Sequence, residues 1–297
     1  MRSRRRPPTD AMLADALGPR ARRQVRIASL VSALVLAGVA AVGIQRLIDR
    51  GQFRAALWEP FTDGGVVRFF LTGLRFTVQA ALVAMVLAMV LGVLLALARL
   101  TRGGPLRWAA SGFIEFFRAM PLILLIYFSS LAFPQYGLDL SPFWKLVIAL
   151  VIYNGAVLAE IFRAGILSLD RGQSEAAYAL GLGYWATMGN VVVPQAARRM
   201  VPAIVSQLVT LLKDTSLGLV IPFDDLLARA NQTGNFYGNM LQALVVAAVL
   251  YMTVNLFLSR LARRLEVRQR RRYGAGEIRV EGAEELVPLA AQAPSGT

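Results

Sequence analysis

Six stretches of this chain are apolar over the length that a helix needs to cross a lipid bilayer. The hydrocarbon core is about 30 Å thick and a helix rises about 1.5 Å per residue, so about 20 mostly apolar residues suffice. The stretches are 27–47, 70–98, 111–133, 143–165, 201–222 and 240–259. Ala80 to Ala98 and all of 240–259 carry no charge. The third stretch is interrupted by Glu115, Arg118 and Pro121, the fourth by Glu160 and Arg163, and the fifth carries Lys213-Asp214. The expected fold class is therefore an all-α integral membrane protein with six transmembrane helices. The first run has the basic flank of a signal peptide. No small-residue cleavage site follows Val42, where the chain reads Gly43-Ile44-Gln45-Arg46, so it is expected to stay as an anchor. The fifth also fits a buried amphipathic helix; it is kept as a span because the topology below requires one.

Such an apolar chain is unusual in being basic as well, with 32 Lys+Arg against 18 Asp+Glu and a net charge of +14. Topology accounts for the excess. If the N-terminus is cytoplasmic, 22 of the basic residues fall in cytoplasmic segments and six on the opposite side, with Arg75, Arg118, Arg163 and Lys213 inside spans. Cytoplasmic loops collect Lys and Arg, so both termini are expected inside. Residues 1–26 and 267–297 read as disordered cytoplasmic tails, with the basic clusters Arg2–Arg6 and Arg268–Arg272 serving orientation and anionic lipid rather than nucleic acid. The chain has no His and no Cys. That excludes disulfides, thiolate metal sites and imidazole-dependent triads.

The cytoplasmic segment 166–200 is too regular for a plain connector. Ser174 to Leu180 reads as a short helix capped by Ser174 and stopped by Gly181 or Gly183. A second helix is expected over 184–192, ended by Pro194. Ala176 and Ala177 permit close approach, while Tyr178, Leu180, Leu182 and Trp185 supply apolar area. Two readings stand open from the pattern: a docking knob, or an amphipathic hairpin on the membrane surface.

Glu175-Ala176-Ala177, then Gly181, then Val191-x-Val193-Pro194, resembles the EAA signature of ABC importer permeases, with Val where the signature prefers Ile or Leu. Glu160-Ile-Phe-Arg-Ala-Gly-Ile, Pro194-Gln-Ala, Lys213-Asp-Thr-Ser-Leu and Phe117-Arg118-Ala-Met-Pro121-Leu are similar to the polar amino-acid uptake subfamily. Many relatives have Arg-Gly-Thr-Pro at the last of these. The resemblance covers about 58–266; Tyr153-Asn154-Gly155, Leu211-Leu-Lys-Asp and the extra N-terminal span look most like glutamate permeases of actinobacteria.

The resemblance implies a five-span permease core at 58–266 with an added helix at 27–47, in a bacterial cytoplasmic membrane. Glu175, Ala176, Ala177, Gly181 and Gly183 would form a coupling helix seated on an ATPase dimer. ATP would be bound there, with no cofactor in this chain, which lacks a Gly-x-x-x-x-Gly-Lys-Ser/Thr loop. A second permease subunit, the same or homologous, and an extracytoplasmic amino-acid-binding protein would complete the assembly. The cargo would be glutamate or another polar amino acid, such as glutamine, aspartate or a basic one.

Charges inside a span cost about 2.5 kcal/mol or more. Glu115/Arg118 and Glu160/Arg163 stand three residues apart, so each pair shares a helix face. They fit mutual ion pairs. They also fit a translocation path in which Arg118, Arg163 and Lys213 meet substrate carboxylates, with Asn154, Glu160, Asp214 and Ser216 beside them. Pro121 is expected to kink span three. A carboxylate enzyme using Glu115 and Glu160 is a distant alternative, and a membrane scaffold that only binds through the loop is another.

Overall fold

The computed structural model describes residues 19–101 and 103–277. All regular structure among them is helical: α1 Pro19–Asp49, α2 Ala55–Trp58, α3 Gly64–Leu100, α4 Pro105–Ala119, α5 Leu122–Gln135, α6 Pro142–Leu167, α7 Arg171–Ala179, α8 Tyr184–Thr187, α9 Val193–Asp214, α10 Leu226–Tyr237 and α11 Met240–Glu277. The chain divides into two compact units, Met1–Glu59 and Pro60–Thr297. In the first, α1 is apolar on every side between Ile27 and Ile44, as a helix surrounded by lipid must be. It starts at Pro19, and α11 runs on to Glu277, so 19–26 and 267–277 are helical where tails were expected. The remaining tail residues, 1–18 and 278–297, lie outside the described part.

The second unit is organised around α3 and α6. α3 buries Ala81, Ala84, Ala88, Gly92 and Ala96, one small residue per turn. In lipid there is little hydrophobic drive between helices, so close backbone approach supplies the attraction, and small side chains permit it. At Gly92 the approach is close: a Cβ there would lie 2.8 Å from Leu158 Cβ and 3.1 Å from the Gly155 carbonyl oxygen of α6. Leu146, Leu150, Leu158, Leu211 and Leu212 fill the core around this crossing. A smaller cluster of Phe70, Leu226, Ala230, Ala243 and Ala247 joins the start of α3 to α10 and α11.

Three elements depart from expectation. Span three is not a kinked rod: α4 and α5 meet at 103° around Met120-Pro121. Among the described residues five helices are individually long and apolar enough to cross, or six if that bent pair counts as one span. The coupling-loop helix begins at Arg171, not Ser174, because the Asp170 carboxylate accepts the Gly172 N–H at 2.9 Å and caps it one turn earlier. Pro194 does not end a helix. A π-turn over Met188–Val192 closes with the Val193 N–H on the Met188 carbonyl, and Pro194 falls in the first turn of α9, where a residue without an N–H is tolerated.

Candidate functional site

A polar cluster and a mostly apolar groove with a few polar side chains interrupt the packed helices. The first is centred on Glu160. Arg163, one turn along α6, donates to its Oε2 at 2.9 Å. Arg99, at the end of α3, donates to its Oε1. Arg118 of α4 lies 4.0 Å from Oε2. Arg99 also reaches Glu115 at 3.2 Å. Three helices are thus joined by one carboxylate, and Glu115 and Arg118 each bond across to another helix rather than to each other. Arg99 was the missing member of the sequence reading, which placed it in a loop.

The second is a groove of about 580 Å³ between α9, α10 and α11, lined among others by Lys213, Ser216, Tyr251, Asn255 and Ser259. The spacing of Tyr251, Asn255 and Ser259 puts them on one face of α11. The Ser216 hydroxyl donates to the Lys213 carbonyl at 2.7 Å, the 3₁₀ turn after α9 holding the two together. The Asn255 amide donates to the Tyr251 carbonyl at 2.8 Å, and its Oδ1, buried, has no partner. A buried amide oxygen without a donor is costly. Asp214 does not line the groove.

Asn154 lies elsewhere. It is fully buried, donates to the Leu150 carbonyl at 2.9 Å and accepts from Gln207 of α9 at 2.7 Å. It therefore ties α6 to α9.

Tyr251 belongs to two structures at once. Besides lining the groove, its hydroxyl donates to Asp225 Oδ2 at 3.1 Å. Asp225 is the N-cap of α10, accepting the Ala228 N–H at 2.7 Å, and the neighbouring Leu226 N–H donates to Thr77 of α3 at 3.1 Å. Nothing periodic in the sequence joins these residues, which lie on separate elements.

The coupling-loop residues form a compact knob. Ala177 is buried; Glu175, Ala176 and Gly183 are exposed. Gly181 ends α7 in the left-handed region at φ +81°, with its N–H on the Tyr178 carbonyl and the Leu182 N–H on the Ala177 carbonyl. That double closure requires a residue without Cβ strain. Leu180 and Trp185 project outward, and Arg199 at the base of α9 donates to the Ser168 carbonyl at 2.9 Å. Among the described residues no group of three acidic, His or Cys side chains is placed to hold a metal.

The family described as "Binding-protein-dependent transport system inner membrane component" matches residues 88–271. The glutamate transport system permease protein GluD of Corynebacterium glutamicum is 38% identical over 224 residues, 74% of this chain and 82% of that protein. The arginine transport system permease protein ArtQ of Bacillus subtilis is 35% identical over 201 residues, 67% of this chain and 92% of that protein. Among solved structures, the crystal structure of an amino acid ABC transporter with histidines superimposes with a TM-score of 0.65 at 30% identity, covering 69% of this chain and 94% of that one.

Proposed function

This chain belongs to the family of binding-protein-dependent transport system inner membrane components, so it is a multi-pass permease of the cytoplasmic membrane, and we propose glutamate as its cargo. The relatives named for glutamate and for arginine differ in the sign of their cargo, so the family alone leaves the charge open. The groove carries the choice. Lys213 is its cation, suited to a carboxylate, and Ser216, Tyr251 and Ser259 add neutral polar groups to the lining. An amino acid presents one carboxylate, and an acidic one presents a second.

ATP is bound and hydrolysed by a separate ATPase dimer docked on Glu175–Gly183, a binding protein delivers the amino acid from outside, and a second permease subunit completes the pore. Both termini and the coupling loop face the cytoplasm. Glu115 and Glu160, the carboxylates an intramembrane enzyme would use, both bond to Arg99 and are poorly placed for proton chemistry. The test is ATP-dependent uptake of labelled glutamate, glutamine, aspartate and arginine by the full assembly in vesicles. Lys213→Gln lowers glutamate uptake by about tenfold, equivalent to about 1.4 kcal/mol, at unchanged insertion. Wild-type uptake by that variant, or preference for arginine, would overturn the assignment.

A further inference from the structure

α4 has 15 residues and leaves α5, with 14, at 103°; at about 22 and 21 Å neither rod alone matches the hydrocarbon core, so the side chains of α4 decide how it lies. Its side chains sort into four directions. Ala110 and Ile114 are buried against the neighbouring helices, with Phe113 and Phe117 partly so. Arg107, Ser111, Glu115 and Arg118 follow i,i+4 and i,i+3 spacing along one flank. The opposite flank carries Ala109 and the exposed Phe116. The outer edge, away from the core, carries Trp108, 77% exposed.

A helix crossing the bilayer would meet lipid on both flanks, and the arginine flank would then be buried in acyl chains. A helix lying in the membrane plane places them differently. Its inner side meets the protein, one flank faces headgroups, the other faces acyl chains, and Trp sits at interfacial depth, where its amphipathic ring is favoured. Arg118 leaves room for a further anion, since it stands 4.0 Å from Glu160 and its side chain is 46% exposed. We infer that α4 lies in the plane of the cytoplasmic leaflet and takes anionic phospholipid headgroups on its Arg107–Arg118 flank. The side of the membrane rests on the orientation proposed above; the depth of α4 does not.

The experiment uses the full chain in nanodiscs of phosphatidylcholine, with and without one quarter phosphatidylglycerol. Trp58, Trp144 and Trp185 are replaced by Phe, leaving Trp108 as the fluorophore. Lipids brominated near the headgroup are expected to quench Trp108 best. Strongest quenching by bromines at the chain ends, or only by aqueous iodide, would overturn the in-plane placement. Lipids retained by the protein are counted by native mass spectrometry. Arg107→Gln with Arg118→Gln is expected to lower the preference for phosphatidylglycerol at least threefold. Arg107→Gln alone, which leaves the Glu160 cluster untouched, is expected to lower it about twofold. An unchanged preference in the single variant, or its abolition in the parent by millimolar inorganic phosphate, would overturn the headgroup assignment. Orientation is read separately: the chain has no Cys, so Ser174→Cys reports sidedness by thiol labelling. Labelling from outside would sink the orientation and leave the depth of α4 standing.

Discussion

Replacing Glu160 by Gln removes the one carboxylate on which α3, α4 and α6 converge. Its side chain is only 19% exposed and meets Arg163 at 2.9 Å, Arg99, and Arg118 at 4.0 Å. Exposed ion pairs contribute about 0.2–1 kcal/mol, and breaking a buried pair costs about 3–5 kcal/mol. With one face open to solvent, the loss falls between, at about 2–3 kcal/mol. Arg163 is local to the same helix, and an i,i+3 contact accounts for about 0.5 kcal/mol. Most of the remainder belongs to Arg99, which holds α3 to α6, and little to the longer, half-exposed Arg118 contact. Denaturant titration of the purified chain in micelles measures the total. A double-mutant cycle on Arg99→Gln and Glu160→Gln isolates the pair, with a coupling of about 1–2 kcal/mol expected. A coupling below about 0.5 kcal/mol, or a larger one with Arg118, would refute this reasoning.

Gly92→Ala is expected to destabilise the chain by about 1–3 kcal/mol, since the new methyl meets the Gly155 carbonyl and the Ala159 nitrogen at 3.1 and 3.2 Å. Gly38→Ala, where the new methyl meets nothing within 4 Å, serves as the control in the same titration. Gly181→Asp, which forces a side chain into φ +81°, and Glu175→Lys are each expected to abolish ATP-driven uptake while membrane insertion, followed by fractionation, is kept. Wild-type uptake rates in both variants would sink the coupling role.

The transmembrane architecture was legible because a bilayer imposes length and apolarity directly on the chain. α3, α6 and α11 lie where uncharged or nearly uncharged runs lie. What was misread depended on competition between local options. Asp170 and Ser174 are both good N-caps, and nothing in the pattern says which N–H groups will need one. A proline usually stops a helix, but the π-turn ending at Val192 restarts the helix at Val193 and leaves Pro194 in a first turn, where its missing N–H costs nothing. The Glu160 cluster was half visible. Its α6 pair follows helical spacing, whereas Arg99 is 61 residues away and comes near only through the α3–α6 crossing. Thr77, Asp225 and Tyr251 lie further still from any periodic signal, as does the partnership of Asn154 with Gln207.

The unbroken helical run from Tyr184 to Val220 has a mechanical consequence. Trp185 stands at one end and Lys213 near the other, separated by about 40 Å of backbone at helical rise. The run can bend at two places, the π-turn at Met188–Val192 and Pro202 inside α9. Where those two places hold straight, a push on the knob is delivered as tilt, and a tilt of about 5° moves the far end by about 3–4 Å over that length. That is enough to carry the Lys213 ammonium into or out of hydrogen-bonding range, so on the proposed function the run would serve as a lever arm between the knob and the cargo.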